Sequence, residues 1–205
     1  MKLLLASYNQ GKLHELQALL ADVSLDIISP ASLNLSLEVV EDGLTYQENA
    51  ARKATAFAQA AGYLSLADDS GLEVEALDGQ PGLHSARFSP LPGATDRDRR
   101  ELLLEKVRNK PRPWVARFRC VIALAVPAGG LYFSEGVCPG EIIPEERGQN
   151  GFGYDPIFLL TALSKTMAEL SMEEKNRLSH RARAVLAAKG ILRQLGSNSN
   201  VSFSA

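Results

Sequence analysis

The sequence predicts a globular α/β domain, and three observations carry that expectation. Lys2 to Ala6 is an apolar run of strand length, followed directly by a polar turn and a leucine-spaced helix. Thr45-Tyr46-Gln47-Glu48 has the form of a capping box, and the helix it opens leads to a second buried run at Tyr63 to Ala67. Two longer β-rich segments, Trp114 to Val126 and Leu131 to Val137, flank the turn Pro127-Ala128-Gly129-Gly130. With 205 residues, 45% of them hydrophobic, the chain is long enough for a substantial core in one domain.

The elements follow in order. Lys2 to Ala6 reads as a strand, Ser7 to Lys12 as a turn, and Leu13, Leu16, Leu19 and Leu20 recur at helical spacing. Leu25 to Ile28 is a second strand. In the helix after Thr45, the residues Ala50, Ala54, Phe57, Ala58 and Ala61 give a buried face. The strand from Tyr63 is expected to end at a turn containing Asp68-Asp69-Ser70-Gly71. A Gly- and Pro-rich loop then runs from Asp78 to Gly93, a length often associated with function. Thr95 to Asn109 is a strongly charged helix with Leu102, Leu103 and Val107 inward. The hairpin strands come next, with a further strand expected at Pro139 to Ile143 and another at Ile157 to Leu160 after a glycine-rich loop. Ser171-Met172-Glu173-Glu174 is a second capping box, opening one helix to about Leu195. The domain is expected to span 1–196, with the Ser- and Asn-rich residues 197–205 a disordered tail.

Charge and cysteine usage narrow the function classes. The formal net charge is −2, so no global basic field exists to hold nucleic acid nonspecifically. Only 6% of residues are aromatic, too few for a stacking platform along a single strand. Cys120 and Cys138 are the only cysteines and lack metal-ligand spacing, which fits a reducing cytoplasm rather than a disulfide framework. The apolar start breaks at Ser7, too short for a signal peptide, and no stretch reaches transmembrane length. No membrane or nucleic-acid partner is expected.

Several stretches carry candidate chemistry. Asp68 and Asp69 are adjacent carboxylates whose side chains leave opposite faces of an extended chain, so one can face a metal while the other meets water. A polar turn is the plainer alternative. The turn Ser7 to Lys12 offers helix-start N–H groups beside a lysine, which suits a phosphate. It is not a Walker loop, and Asn9 as an ordinary N-cap with Lys12 solvated is the alternative. Gly151-Phe152-Gly153-Tyr154-Asp155-Pro156 fails the dinucleotide fingerprint, but glycines around Phe152 would let its ring cover a flat ligand. Lys175, Ser179, His180, Arg181 and Arg183 form a basic cluster that, taken alone, is a helix surface.

In this order the stretches resemble the inosine triphosphatase family, pyrophosphatases for nonstandard purine nucleoside triphosphates such as ITP, dITP and XTP. The matching segments are Ser7 to Lys12, Glu48-Asn49-Ala50 with Lys53, Asp68 to Leu72, Pro81-Gly82 with Ser85-Ala86-Arg87, Gly151 to Pro156, and Glu174-Lys175 with Ser179-His180-Arg181. The resemblance implies an elongated mixed β-sheet flanked by helices in two lobes, with a central nucleotide-binding cleft. It implies Mg²⁺-dependent release of nucleoside monophosphate and pyrophosphate by a cytoplasmic homodimer that cleanses the nucleotide pool. By motif position, Ser7, Tyr8, Asn9, Gln10, Gly11 and Lys12 would cradle the triphosphate and Lys53 would neutralise it. Glu41 and Asp68 would bind Mg²⁺, with Glu38 and Asp42 as neighbouring alternatives to Glu41, and Asp69 would be the general base and a further metal contact. Ser70 would touch substrate, Phe152, Gly153, Tyr154 and Asp155 would enclose base and sugar, and Lys175, His180 and Arg181 would complete the base pocket.

The chemistry of the residues agrees with that resemblance. Attack of water on the α-phosphorus needs an oriented nucleophile, cations on the phosphate oxygens and a stabilised leaving group. Acidic residues and lysines of the right kinds are present. Hypoxanthine and xanthine carry an oxygen at C6, which N–H donors would welcome where adenine's amino group would be rejected. Two alternatives remain: a pyrophosphatase for other modified or standard nucleotides, and a noncatalytic nucleotide sensor on the same fold.

Overall fold

The computed structural model describes residues 1–198. Seven strands form one sheet in the order β2-β1-β3-β4-β5-β6-β7, with β1 Lys2–Leu5, β2 Asp26–Ile28, β3 Leu64–Val74, β4 Trp114–Ala125, β5 Leu131–Ile142, β6 Phe158–Leu160 and β7 Lys165–Thr166. The sheet is mixed. β1 pairs in parallel with both β2 and β3, whereas β5, β6 and β7 pair antiparallel. Five helices accompany it: α1 Gln10–Leu19, α2 Tyr46–Ala61, α3 Asp96–Val107, α4 Met172–Leu178 and α5 His180–Asn198. The chain divides into two compact units, unit 1 with residues 1–69, 120–136 and 181 onward, and unit 2 with residues 70–119 and 137–180.

Unit 1 is built on β1, whose Leu3, Leu4 and Leu5 are fully buried, as expected of a parallel strand covered on both faces. Its core joins Leu3 and Leu5 to Leu16 of α1, Leu66 of β3, Ile122 of β4 and Val185 of α5. The helix starts follow local chemistry. Asn9 caps α1 by accepting from the Lys12 N–H at 3.0 Å, and Thr45 caps α2 by accepting from the Glu48 N–H at 3.1 Å. The Glu48 carboxylate reaches back to the Leu44 N–H rather than to the cap's own, so the expected box is closed one residue early.

Unit 2 has a separate core in which Leu72 and Val74 of β3 meet Leu103 and Val107 of α3, Trp114 and Phe118 of β4, and Phe158 of β6. A complete capping box between Thr95 and Asp98 starts α3, and another between Ser171 and Glu174 starts α4.

The structure departs from the sequence expectations in four places. β3 does not stop at a turn but runs through Asp68 and Asp69 to Val74, because cations and an amide supplied by neighbouring helices pair with Oδ2 of each buried carboxylate. The strand expected at Pro139 is the end of β5, where Glu141 and Ile142 pair with β6 despite the donor lost at proline. The single last helix is two, because Ser179 adopts an extended conformation (φ −67°, ψ 157°) that closes α4 and redirects the chain into α5. Finally, α5 continues to Asn198, into the segment expected as tail; residues 199–205 of that expectation lie outside the described residues.

Candidate active site

In unit 1 the two carboxylates of β3 meet different surroundings. Asp68 Oδ2 accepts from Arg181 Nε at 3.2 Å and Nη2 at 3.0 Å, and lies 3.1 Å from Lys12 Nζ. The Arg181 guanidinium also donates through Nη1 to Glu15 of α1, and both side chains of that pair are buried. Asp69 Oδ2 accepts from Asn49 Nδ2 of α2 at 3.0 Å, and Asn49 Oδ1 in turn holds the Gly43 N–H at 2.8 Å. Lys53, one turn further along α2, donates to the Asp68 backbone carbonyl at 2.7 Å and pairs with Glu41 at 3.1 Å. Lys12, Lys53, Glu41, Asp68, Asp69 and Arg181 are thus brought together.

These contacts divide the ionisation of the pair. Burial opposes charge on Asp68 most strongly, but Lys12, Arg181 and Lys53 together outweigh it and hold this carboxyl well below the usual range. Burial raises Asp69 above its ordinary value; Lys53, Lys12 and the Asn49 bond work against the rise, and the negative charge of Glu41 adds to it. Burial and the Asp68 charge push the Cys120 thiol up to about 12, so it stays a neutral neighbour. Two adjacent residues therefore serve as a fixed anion and a basic carboxylate.

The turn into α1 is more exposed. Ser7 Oγ accepts from the Asn9 N–H, and Gln10 and Gly11 open the helix. The Tyr8 hydroxyl donates to the Leu35 carbonyl at 3.1 Å and accepts from the Leu37 N–H at 2.8 Å, so it pins the 35–37 segment. Ser70 follows the pair in β3, half-buried.

In unit 2 the glycine-rich loop is held from beneath. Asp155 Oδ2 accepts from the Phe152 N–H at 2.9 Å and from Lys175 Nζ at 2.6 Å, with both charged side chains buried. Lys175 Nζ lies 5.1 Å from the centroid of the half-buried Phe152 ring. Gly151 has to be glycine: its φ is +77°, and a Cβ there would sit 2.0 Å from Asp155 Oδ2. His180 is buried and stacks on Phe118, with centroids 4.7 Å apart and planes at 15°.

A profile of the Ham1 family matches residues 3–190. The chain belongs to the Ham1 family. It is 47% identical over 197 residues, 95% of its own length and 97% of the relative's, to a protein of Desulforamulus reducens named dITP/XTP pyrophosphatase. A protein of Geobacter sulfurreducens with the same name is 44% identical over 190 residues, covering 92% of this chain and 94% of the relative. Among solved structures, a HAM1 protein from Coxiella burnetii superposes with a TM-score of 0.85 at 39% identity, covering 95% of this chain and 99% of that one. The Staphylococcus aureus Ham1 protein gives 0.83 at the same identity and coverage. The α/β architecture on a mixed sheet is thus the Ham1 fold.

The geometry gives three of the expected site residues of this Ham1 chain definite surroundings. Arg181, expected beside Lys175 and His180, belongs to unit 1, where its guanidinium is bound by Asp68 and Glu15; the break at Ser179 sends it there. The Tyr154 ring, expected near base and sugar, packs in the core, and its hydroxyl donates to the Ser85 carbonyl at 2.9 Å and braces the 82–87 segment. Asp68, expected to bind metal, has its Oδ2 against Lys12 and Arg181. Glu15 and Asn49 were not singled out by role. Asn49 did fall within a matching segment, whereas Glu15 offered only its place one turn after Lys12 in α1.

A divalent metal has a coherent place among these residues. No group of three or more His, Cys, Asp or Glu side chains is arranged to hold a metal among the described residues. Magnesium commonly uses one or two carboxylates and completes its shell with water and phosphate oxygens. Glu41 and Asp69 fit that pattern: burial chiefly raises Asp69, the Glu41 charge adds to the rise, and a bound cation would offset both.

Proposed function

We propose that this protein hydrolyses deaminated purine nucleoside triphosphates, dITP, XTP and ITP, to monophosphate and pyrophosphate, and so cleanses the cytoplasmic nucleotide pool. The carrying observation is the division of labour in β3: Asp69, buried, raised in pKa and oriented by Asn49, beside an Asp68 held ionised by three cations. Such a carboxylate is suited to take a proton from water, since its basicity exceeds that of an exposed aspartate. The names of the homologues support the substrate class.

In this reading the N–H groups at the start of α1, with Ser7, Asn9, Gln10 and Lys12, bind the triphosphate, and Lys53 neutralises it. Glu41 and Asp69 would hold Mg²⁺, which when bound would neutralise phosphate charge. Asp68 fixes Lys12 and Arg181 through its Oδ2. Asn49 orients Asp69 toward the water, and Lys53 keeps Glu41 beside it. Phe152 covers the base, on a loop whose backbone Asp155 and Lys175 support. His180 and backbone N–H groups donate to the C6 oxygen that separates hypoxanthine and xanthine from adenine. The working protein is a homodimer.

The test is a substrate panel of dITP, XTP, ITP, dGTP and dATP with and without Mg²⁺, with products separated by ion exchange. Monophosphate and pyrophosphate from the first three, much slower from the last two and dependent on Mg²⁺, are expected. A preference for dGTP or dATP would overturn the substrate class. Saturable binding with no product from any of the five would make the protein a sensor.

A further inference from the structure

Beyond its inward leucines, the strongly charged helix α3 uses two side chains to hold a single residue of the glycine-rich loop. Asp96 Oδ2 accepts from the Gly153 N–H at 2.7 Å, and Arg100 Nη1 donates to the Gly153 carbonyl at 2.8 Å. Each of the two is itself fixed. Asp96 Oδ1 accepts from Arg99 Nη2 at 3.0 Å, while Arg99 Nη1 donates to the Ala94 carbonyl at 2.8 Å. Arg100 makes a forked pair with Glu146, Nε at 2.8 Å and Nη2 at 3.0 Å, and its side chain is only 12% exposed.

The loop is therefore gripped on two successive residues by different elements. Asp155, itself held by Lys175, accepts from the Phe152 N–H, and α3 takes both polar groups of Gly153. Gly153 has φ +62° with open space where a Cβ would stand, so its conformation, not crowding, is what needs holding. A glycine with that freedom would otherwise let the Phe152 ring swing, since the ring's direction follows the backbone on either side of it.

We propose that Asp96 and Arg100 are positioning residues for nucleotide recognition, acting through Gly153 to preset the Phe152 ring against the purine base. This rests on the proposed function, in which Phe152 covers the base. Preorganisation of this kind lowers the ordering cost of binding, and because the ring meets the base in ground and transition states alike, its loss raises KM and leaves kcat unchanged. Asp96→Asn keeps an acceptor for the Gly153 N–H and is the conservative rescue; Arg100→Lys keeps the charge but not the fork that spans Glu146 and Gly153.

Two measurements on the full chain test this. Amide exchange by NMR is expected to show the Gly153 N–H exchanging about tenfold faster in Asp96→Ala than in wild type, with Asp96→Asn near wild type and the Leu5 amide unchanged. Equal protection of Gly153 in Asp96→Ala and wild type overturns the clamp. In kinetics with dITP, Arg100→Ala is expected to raise KM roughly tenfold at constant kcat in the wild-type background and less than about twofold in Phe152→Ala. Additive effects would show that Arg100 does not act through Phe152. If wild type turns over no nucleotide, the proposed function fails instead, and the exchange result still decides the clamp.

Discussion

Asp69 combines a large desolvation with a nearby negative charge, and both features can be read out in stability as well as in turnover. Its folded pKa lies above the unfolded value of about 3.9, so the native state binds this proton more tightly than the unfolded chain does. Stability then falls as pH rises through that window, and the cost is fully present above the raised pKa. Asp69→Asn removes the ionisation while preserving shape. It is expected to reduce kcat by more than about 10²-fold, as loss of a general base does. It is also expected to raise Tm at pH 7, with the gain shrinking as pH falls toward 4. A Tm below wild type at pH 7 would mean that the ionised carboxylate is a net stabiliser. The Glu15–Arg181 pair is the opposite case, a buried ion pair whose value lies in being complete. Because Asp68 still holds Arg181 when Glu15 is removed, Glu15→Ala is expected near the low end for a broken buried pair, about 3 kcal/mol by urea unfolding. Glu15→Gln, which keeps an acceptor, should lose clearly less.

At the scale of elements, the parts of the site legible in the sequence were those set by neighbours along the chain. Thr45 and Ser171 cap helices where their spacing placed them, and Asn9 caps α1 as its plainer reading had it. The glycines around Phe152 also marked a special backbone, and Gly151 shows why. Gly151→Ala would combine a left-handed φ with a collision on Asp155, so a loss of about 2 kcal/mol is expected in thermal unfolding, with a raised KM. Long-range partners were not legible. The continuation of β3 through two aspartates depends on Lys12, Asn49 and Arg181, which stand far away in sequence. Glu15 and Arg181 are 166 residues apart, so no local pattern could announce their contact. The break at Ser179 was hidden because the residues on both sides favour helix, and one extended serine separates a lysine of unit 2 from an arginine of unit 1. The partners of the charged face of α3 were hidden for the same reason: Glu146 and Gly153 belong to later loops.

For the molecule as a whole, Lys12 and Lys53, proposed to bind the triphosphate, belong to unit 1 and the loop that carries Phe152 belongs to unit 2, each unit with its own apolar core. No helix among the described residues is long and apolar enough to cross a membrane. If Glu41 and Asp69 hold Mg²⁺, the metal binds the folded chain alone and must stabilise it, by about 2.7 kcal/mol at a hundredfold excess over Kd. Calorimetry of wild type, Glu41→Gln and Asp69→Asn across a Mg²⁺ titration is expected to show this gain only in wild type. A full gain in both variants would move the metal elsewhere. The central claim, water activated by Asp69 for attack on the α-phosphorus, is tested most directly by hydrolysing dITP in ¹⁸O-labelled water. The expected result is ¹⁸O in dIMP and none in pyrophosphate. Label in pyrophosphate, or labelled orthophosphate with dIDP, would place the attack on another phosphorus and contradict the role given to Asp69.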